Sequence, residues 1–232
     1  MTELTIPEAA RLDARDKLHY PLQETKLRKF VLAMVRFLFR FIMEMEVEGQ
    51  ANLPPDGAVI IASNHVSNFD AFPLQLALPR PLFFMGKAEL FKNPLIHQFF
   101  RNLGGFPVYR GERDEWAIRH AGKLLRHRQV LGMFPEGTRS QGRGLKVAKT
   151  GAARLALSVN CPILPVAVDG CQHLFKTFPH RTRVRVKIGE PVWPNPDELP
   201  LALTDRLMFT LARNLPEELR GVYSEMPEGF GC

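Results

Sequence analysis

Cysteine, tryptophan and tyrosine are scarce in this 232-residue chain, at three, two and three residues. Cys161, Cys171 and Cys232 show no metal-ligand spacing and no pairing framework. That usage argues against a metal site and against a disulfide-stapled secreted domain, and fits a reducing compartment. Acid is short as well: 24 Asp and Glu face 31 Lys and Arg, for a net charge of +7 and a pI near 9.6. Such a balance favours a polyanionic partner, whether nucleic acid, an anionic membrane or a phosphorylated substrate. Also missing is any apolar run of about 20 residues, the length a membrane-crossing helix needs. The first twenty residues carry Glu3, Glu8, Asp13 and Asp16 and have no apolar centre, unlike a secretory leader. What remains is 45% hydrophobic and 24% charged, ordinary for a globular chain able to bury its own core.

The most apolar stretch, residues 30–43, is interrupted by Arg36 and Arg40 and is too short to span. On a helix, Lys29, Arg36 and Arg40 form a narrow basic stripe, and the rest of the surface is apolar, with Phe30, Phe37, Phe39 and Phe41. Five cations and no acid lie between Lys26 and Arg40. One reading packs this helix into the domain with its arginines snorkelling to water. The other, which the breadth of the apolar arc favours, lays residues 26–43 in an anionic membrane surface as a peripheral or monotopic anchor. The chain is accordingly divided into a membrane-associating helical segment, 1–43, and a domain, 44–232, with a location at the cytoplasmic face of a membrane.

Beyond the helix, residues 44–48 alternate charge and apolar as a half-buried strand does. Short β-rich runs follow at 58–62, 82–85, 106–109, 130–134, 163–168 and 183–188, with helical patterns at 93–102, 114–126, 147–158 and 203–214. Continuous apolar strands alternating with helices predict an α/β fold: a mostly parallel sheet flanked by helices. The run Arg183-Val-Arg-Val-Lys-Ile188 alternates cation and apolar and is expected at a sheet edge with one wet face. Residues 195–232 are Pro-rich, with one short helix and no chemical lead.

Open α/β sheets keep their sites just past the carboxyl ends of strands, and two such turns carry polar chemistry here. After the strand at 58–62 comes Ser63-Asn64-His65-Val66-Ser67-Asn68-Phe69-Asp70. His and Asp five residues apart cannot share a helical face, but they meet if His65 is in the loop and Asp70 opens the next helix. A carboxylate accepting the Nδ1 proton leaves Nε2 basic and suits a general base acting on a hydroxyl. The plainer readings are an N-cap aspartate and a hydrogen-bonded loop histidine. The second turn is Phe134-Pro135-Glu136-Gly137-Thr138-Arg139-Ser140. Gly137 permits close backbone approach, Glu136 can accept from substrate hydroxyls, and Arg139 offers a fork for phosphate. Arg143, Lys146, Lys149 and Arg154 follow, and no acid occurs between Glu136 and Asp169. Arg110, at another strand end, is a further candidate phosphate contact, the plainer reading being an ordinary surface arginine.

These segments, in this order, resemble the four motif blocks of the glycerolipid acyltransferases, in the 1-acyl-sn-glycerol-3-phosphate (lysophosphatidate) O-acyltransferase branch. The blocks are Asn64-His65 through Asp70, the run ending at Arg110, Phe134 to Arg139, and the Pro-flanked Pro162-Ile163-Leu164-Pro165-Val166. Residues 149–154 are similar to the segment that follows the third block, and the likeness covers roughly residues 44–190. The second block departs from the pattern in its Gly104-Gly105 opening and in Tyr109 before the arginine. The resemblance implies acyl transfer from a thioester, acyl-CoA or acyl carrier protein, to the sn-2 hydroxyl of a lysophospholipid, giving phosphatidate. His65 and Asp70 would be the general base; Arg110, Glu136, Gly137, Thr138 and Arg139 would bind the acceptor, and Lys146 and Lys149 would contact phosphate or donor. No covalent acyl-enzyme, metal or cofactor is implied beyond the co-substrate. A sister specificity for glycerol 3-phosphate, another lysophospholipid or a polyol stays open. A distant alternative is nucleic-acid binding along Arg181, Arg183, Arg185 and Lys187, but the phenylalanines are not interleaved with cations as stacking platforms are.

Overall fold

A computed structural model describes residues 13–110 and 114–226. Cys232 and the first twelve residues of the N-terminal segment lie outside the described residues. Seven strands form one sheet: β1 (Met43–Glu48), β2 (Val59–Ser63), β3 (Leu82–Lys87), β4 (Gly105–Val108), β5 (Val130–Met133), β6 (Ile163–Asp169) and β7 (Thr182–Ile188). Their order is β1-β7-β6-β2-β5-β3-β4, and every neighbouring pair is parallel except β6 with β7. The fold is therefore α/β with a mostly parallel sheet, as its patterning predicts.

The helices are α1 (Lys26–Phe39), α2 (Ala71–Ala77), α3 (Pro94–Asn102), α4 (Glu115–Arg126), α5 (Gly151–Val159), α6 (Pro200–Arg213) and α7 (Glu217–Arg220). Side chains alternate along each strand, so the sheet has two apolar faces. Val59, Ile61, Leu164 and Val166 pack with α1 and α2 on one. Ile60, Ala62, Leu131 and Ile163 pack with α4, α5 and Leu203 and Leu207 of α6 on the other. Helices on both faces leave no wet side at the sheet centre, which is why β2, β5 and β6 read as continuous apolar runs.

Two expectations are corrected. The strand at 182–188 is not an edge: it lies between β1 and β6, and β1 is the outer strand. Its wet face is real, but its cations face the glutamates of β1, with Arg183 Nε 3.0 Å and Arg185 Nε 3.4 Å from Glu46, and Arg181 3.5 Å from Glu44. The register sets Lys187 opposite Glu48. Exposed pairs like these contribute less than about 1 kcal/mol each, so they align β1 with β7 more than they stabilise it. Three of the row's four cations are paired in place, so it is not the free cationic track that a nucleic acid needs. The second correction is the tail: α6 runs 14 residues and buries Leu203, Leu207, Met208 and Leu211 as a stripe at helical spacing.

Residues 13–42 pack directly on the sheet layers. Within α1, Val35, Phe39 and Arg28 are buried, whereas Leu27, Phe30, Met34, Phe37, Leu38 and, just beyond it, Phe41 are exposed. Ahead of α1, a 3-10 turn at Ala14–Lys17 and the residues after it lie against α4, where Tyr20, Trp116, His120 and Phe106 form an aromatic cluster. Burial, assisted by Lys123 and opposed by Asp16, pushes His120 down from its ordinary 6.5 to about 4. The folded state thus resists a proton that the unfolded chain takes up. The stability this neutral ring secures is complete above about 6.5 and is lost as pH falls toward about 4. Urea unfolding at stepped pH should show wild type losing up to about 1.4 kcal/mol per pH unit more than His120→Phe across that window; identical slopes would remove His120 as the cause.

Candidate active site

β2 is the topological switch point: the chain continues to β3 on one side and β6 lies on the other. The turns after β2 and β5, adjacent and parallel, open side by side. β2 ends at Ser63, and Asn64 locks the exit, donating from Nδ2 to the Val168 carbonyl at 2.7 Å and accepting from the Val168 N–H at 2.8 Å. In effect it extends the β2–β6 pairing by one side chain, a role its place beside His65 did not reveal.

His65 and Asp70 meet. Nδ1 of His65 is 2.7 Å from Oδ2 of Asp70, and the same oxygen accepts from the N–H groups of Val66 and Ser67, each at 2.8 Å. Asp70 has helical backbone geometry at the start of α2 but makes no side-chain cap bond to it. Its carboxylate turns back onto the loop. Three donors on one fully buried oxygen are what an ionised carboxylate needs away from water. The imidazole stacks on Phe134 of the neighbouring turn, ring centroids 4.1 Å apart. Cys171 is buried close by; burial, with the Asp70 charge adding to it, pushes its thiol above the ordinary range and keeps it protonated.

Glu136 does not have the arrangement expected of a substrate contact. It is buried, and its two oxygens accept from the backbone N–H groups of His65, at 2.8 Å, and Lys146, at 3.0 Å. Burial raises its pKa, with the two N–H groups and the nearby His65 and Lys146 charges pulling the other way. Glu136 joins the first turn to the third block. The Ser140 N–H donating to the His65 carbonyl at 2.7 Å makes the same junction from the other end.

Gly137 adopts φ +70°, and a Cβ there would lie 3.3 Å from Cε of Lys149. The helix expected over 147–158 begins only at Gly151. The preceding N–H groups have other partners: that of Ala148 donates to the Tyr223 hydroxyl at 3.1 Å, and that of Lys149 to the Pro135 carbonyl at 2.9 Å. Residues 145–150 thus form a cradle wall, and the tail beyond α6 helps to hold it.

A cavity of about 600 Å³ opens beside this wall, lined by Val108, Tyr109, Arg110, Ile118, Met133, Phe134, Gly137, Thr138, Lys149, Gly151 and Ala152 among others. Its inner wall is apolar, its rim carries Arg110 and Lys149, and the N-terminus of α5 borders it. Cations and a helix N-terminus together favour an anion. Phe134 separates cavity from imidazole by one ring. Arg139 is exposed on the same turn but does not line the cavity, and Lys146 turns its Nζ to the Arg139 carbonyl at 2.6 Å. Among the described residues, no group of His, Cys, Asp and Glu could hold a metal ion.

This chain is similar to known proteins. The family model described as Acyltransferase matches residues 44–169. A 1-acyl-sn-glycerol-3-phosphate acyltransferase of Bacillus subtilis is 30% identical over 168 residues, 71% of this chain and 81% of that protein. The 1-acyl-sn-glycerol-3-phosphate acyltransferase alpha of Ovis aries is 27% identical over 224 residues, 90% of this chain and 77% of that one. The crystal structure of the 1-acyl-sn-glycerophosphate (LPA) acyltransferase PlsC from Thermotoga maritima matches with a TM-score of 0.67 at 29% identity, covering 81% of this chain and 77% of that chain. Sequence, fold and the ordered turns agree: this chain belongs to the acyltransferase family and is an acyltransferase enzyme.

Proposed function

We propose that the protein transfers a fatty acyl group from acyl-CoA or acyl carrier protein to the sn-2 hydroxyl of 1-acylglycerol 3-phosphate, giving phosphatidate, with His65 as general base. The observation that carries this reading is the His65–Asp70 pair at 2.7 Å beside a cation-rimmed, apolar-walled cavity. The names of the relatives supply the acceptor. Asp70 accepts the Nδ1 proton, so Nε2 is the free base. As the acceptor hydroxyl attacks the thioester carbonyl, Nε2 takes its proton and the C–O bond forms. When the tetrahedral intermediate collapses, the C–S bond breaks and the thiolate leaves with the proton returned by the imidazolium. Asp70 stabilises that imidazolium without moving. Arg110 and Lys149, with the α5 N-terminus and Arg139 nearby, hold the phosphate. Binding energy spent there is remote from the reacting carbonyl and is available to fix the hydroxyl against the base. Beyond the acceptor and the acyl-thioester co-substrate, this chemistry needs no cofactor.

The membrane reading belongs with this function, since both reactants are lipidic. No helix among the described residues is long and apolar enough to cross a bilayer. The exposed Leu27, Phe30, Met34, Phe37, Leu38 and Phe41 would instead enter one leaflet of an anionic membrane at the cytoplasmic face, with Lys26, Lys29 and Arg40 at the headgroups.

Thiol release with acyl-CoA should be strong with lysophosphatidate and weak with glycerol 3-phosphate and neutral lysolipids. A preference for glycerol 3-phosphate would reassign the acceptor. Against the same pair of substrates, His65→Ala and Asp70→Asn should lower kcat by roughly 10²–10⁴-fold while lysophosphatidate still binds; a rate within tenfold of wild type for His65→Ala would remove the base. Arg139→Ala should raise the KM for lysophosphatidate, and a rise confined to the thioester KM would move Arg139 to the donor side. Replacing Phe30, Phe37 and Phe41 together with Ser should weaken partition onto anionic vesicles by about a hundredfold or more, read by sedimentation; unchanged partition would dismiss the α1 face.

A further inference from the structure

Arg110 is an exposed side chain at the end of β4 and would be poorly placed unless its backbone were held. The N–H of its neighbour Tyr109 donates to Oδ2 of Asp114 at 2.8 Å, and Oδ1 of Asp114 accepts the Ala117 N–H at 3.0 Å to start α4. Asp114 in turn is gripped by a residue 99 positions earlier: Arg15 places Nη1 at 2.6 Å from Oδ2 and Nη2 at 2.8 Å from Oδ1. This is the two-pronged fork that only a guanidinium makes. Arg15 is buried, is itself steadied by Asp13, reaches the Pro107 carbonyl at 3.3 Å, and lies over the ring of Tyr109 at 4.7 Å. One side chain therefore braces the chain on both sides of Arg110.

A second arginine of the same segment docks one strand-length away. Arg28 donates to the Leu82 carbonyl at 2.6 Å, and a Cβ on Gly104 would stand 2.7 Å from its Nη2. Gly104 and Tyr109 are the two places where the second motif block departs from the family pattern, and each is a place where an arginine of the N-terminal segment docks.

We infer that residues 13–28 act as a strap on the second motif block, and that Arg15 is the positioning residue that holds Arg110 for the acceptor phosphate. The inference rests on the proposed role of Arg110. It is tested by measuring the KM for lysophosphatidate, the KM for acyl-CoA and kcat in Arg15→Lys, in Arg110→Ala and in the double variant. Arg15→Ala strands the buried Asp114 carboxylate and risks unfolding, so Arg15→Lys, which keeps the charge and loses the fork, carries the test; its thermal midpoint is measured alongside. Arg15→Lys should raise the lysophosphatidate KM about tenfold, the consequence of one lost charge-assisted hydrogen bond, with kcat and the acyl-CoA KM within about twofold. In the Arg110→Ala background the same change should shift the lysophosphatidate KM by less than about twofold. A tenfold rise in both backgrounds, or equal rises in both KM values, overturns the positioning role while leaving Arg110 as the phosphate contact. An unchanged lysophosphatidate KM in Arg110→Ala alone overturns the assignment of Arg110 itself, and the positioning role with it.

Discussion

A single carboxylate oxygen, Oδ2 of Asp70, collects the His65 imidazole and two backbone N–H groups in a place that water does not reach. Leaving that charge unpaired would cost several kcal/mol, so the loop from His65 to Asp70 has little freedom to adopt another shape. Everything else in the site is arranged around the shape it imposes. Glu136 and Ser140 tie the backbone of His65 to the turn after β5, and Phe134 backs the ring. The imidazole is therefore oriented by the protein before any substrate arrives, and a ring held this way saves reorganisation if it acts as the proposed base.

Buried carboxylates recur as the joints of this protein. Asp70 folds its own loop, Glu136 joins two strand ends, and Asp114 ties β4 to α4 and to the N-terminal segment. In each case the acid accepts from backbone N–H groups, joined by the His65 imidazole at Asp70 and by the Arg15 guanidinium at Asp114. In the proposed function the exposed cations Arg110, Arg139 and Lys149 meet the substrate anion. The basic net charge is thus divided: the row at 181–187 faces the glutamates of β1, while Arg139, Lys146 and Lys149 belong to a stretch of sequence, 137–168, that contains no acid.

The N-terminal segment has both a core-facing and an exposed apolar side, which the sequence presented as alternatives. One side of α1 enters the core through Val35, Phe39 and the buried Arg28, and the other offers a row of exposed phenylalanines. Burial lowers the Arg28 pKa to about 10, with Glu24 opposing, so it remains charged at neutral pH beneath Gly104 and over the Phe83 ring. A segment held this way ties α1, with its exposed apolar face, to the backbone at the start of β4.

Periodicity and strand-end chemistry were enough to place seven strands, most helices and the His65–Asp70 pairing, because apolar spacing and short-range loop chemistry are written locally; the family came from the resemblance of four ordered motif blocks. Strand order was not, and the alternating run at 182–188 shows why. Alternation reports that one face is wet, and it is silent on whether a neighbour lies alongside; β1, more than a hundred residues away, supplies the neighbour and the opposite charges. The part played by Glu136 was also hidden, since a carboxylate in a polar turn looks the same whether it faces substrate or the N–H groups of a distant loop. Helix α5 starts late because bonds from the Ala148 and Lys149 N–H groups to Tyr223 and Pro135 hold that stretch on another path, and Arg15 meets Asp114 across 99 positions of sequence. The chain by itself determined which residues could act as base, anion contact and apolar face; tertiary packing decided which of them meet, because hydrogen bonds and ion pairs between distant segments exist only once burial has brought those segments together.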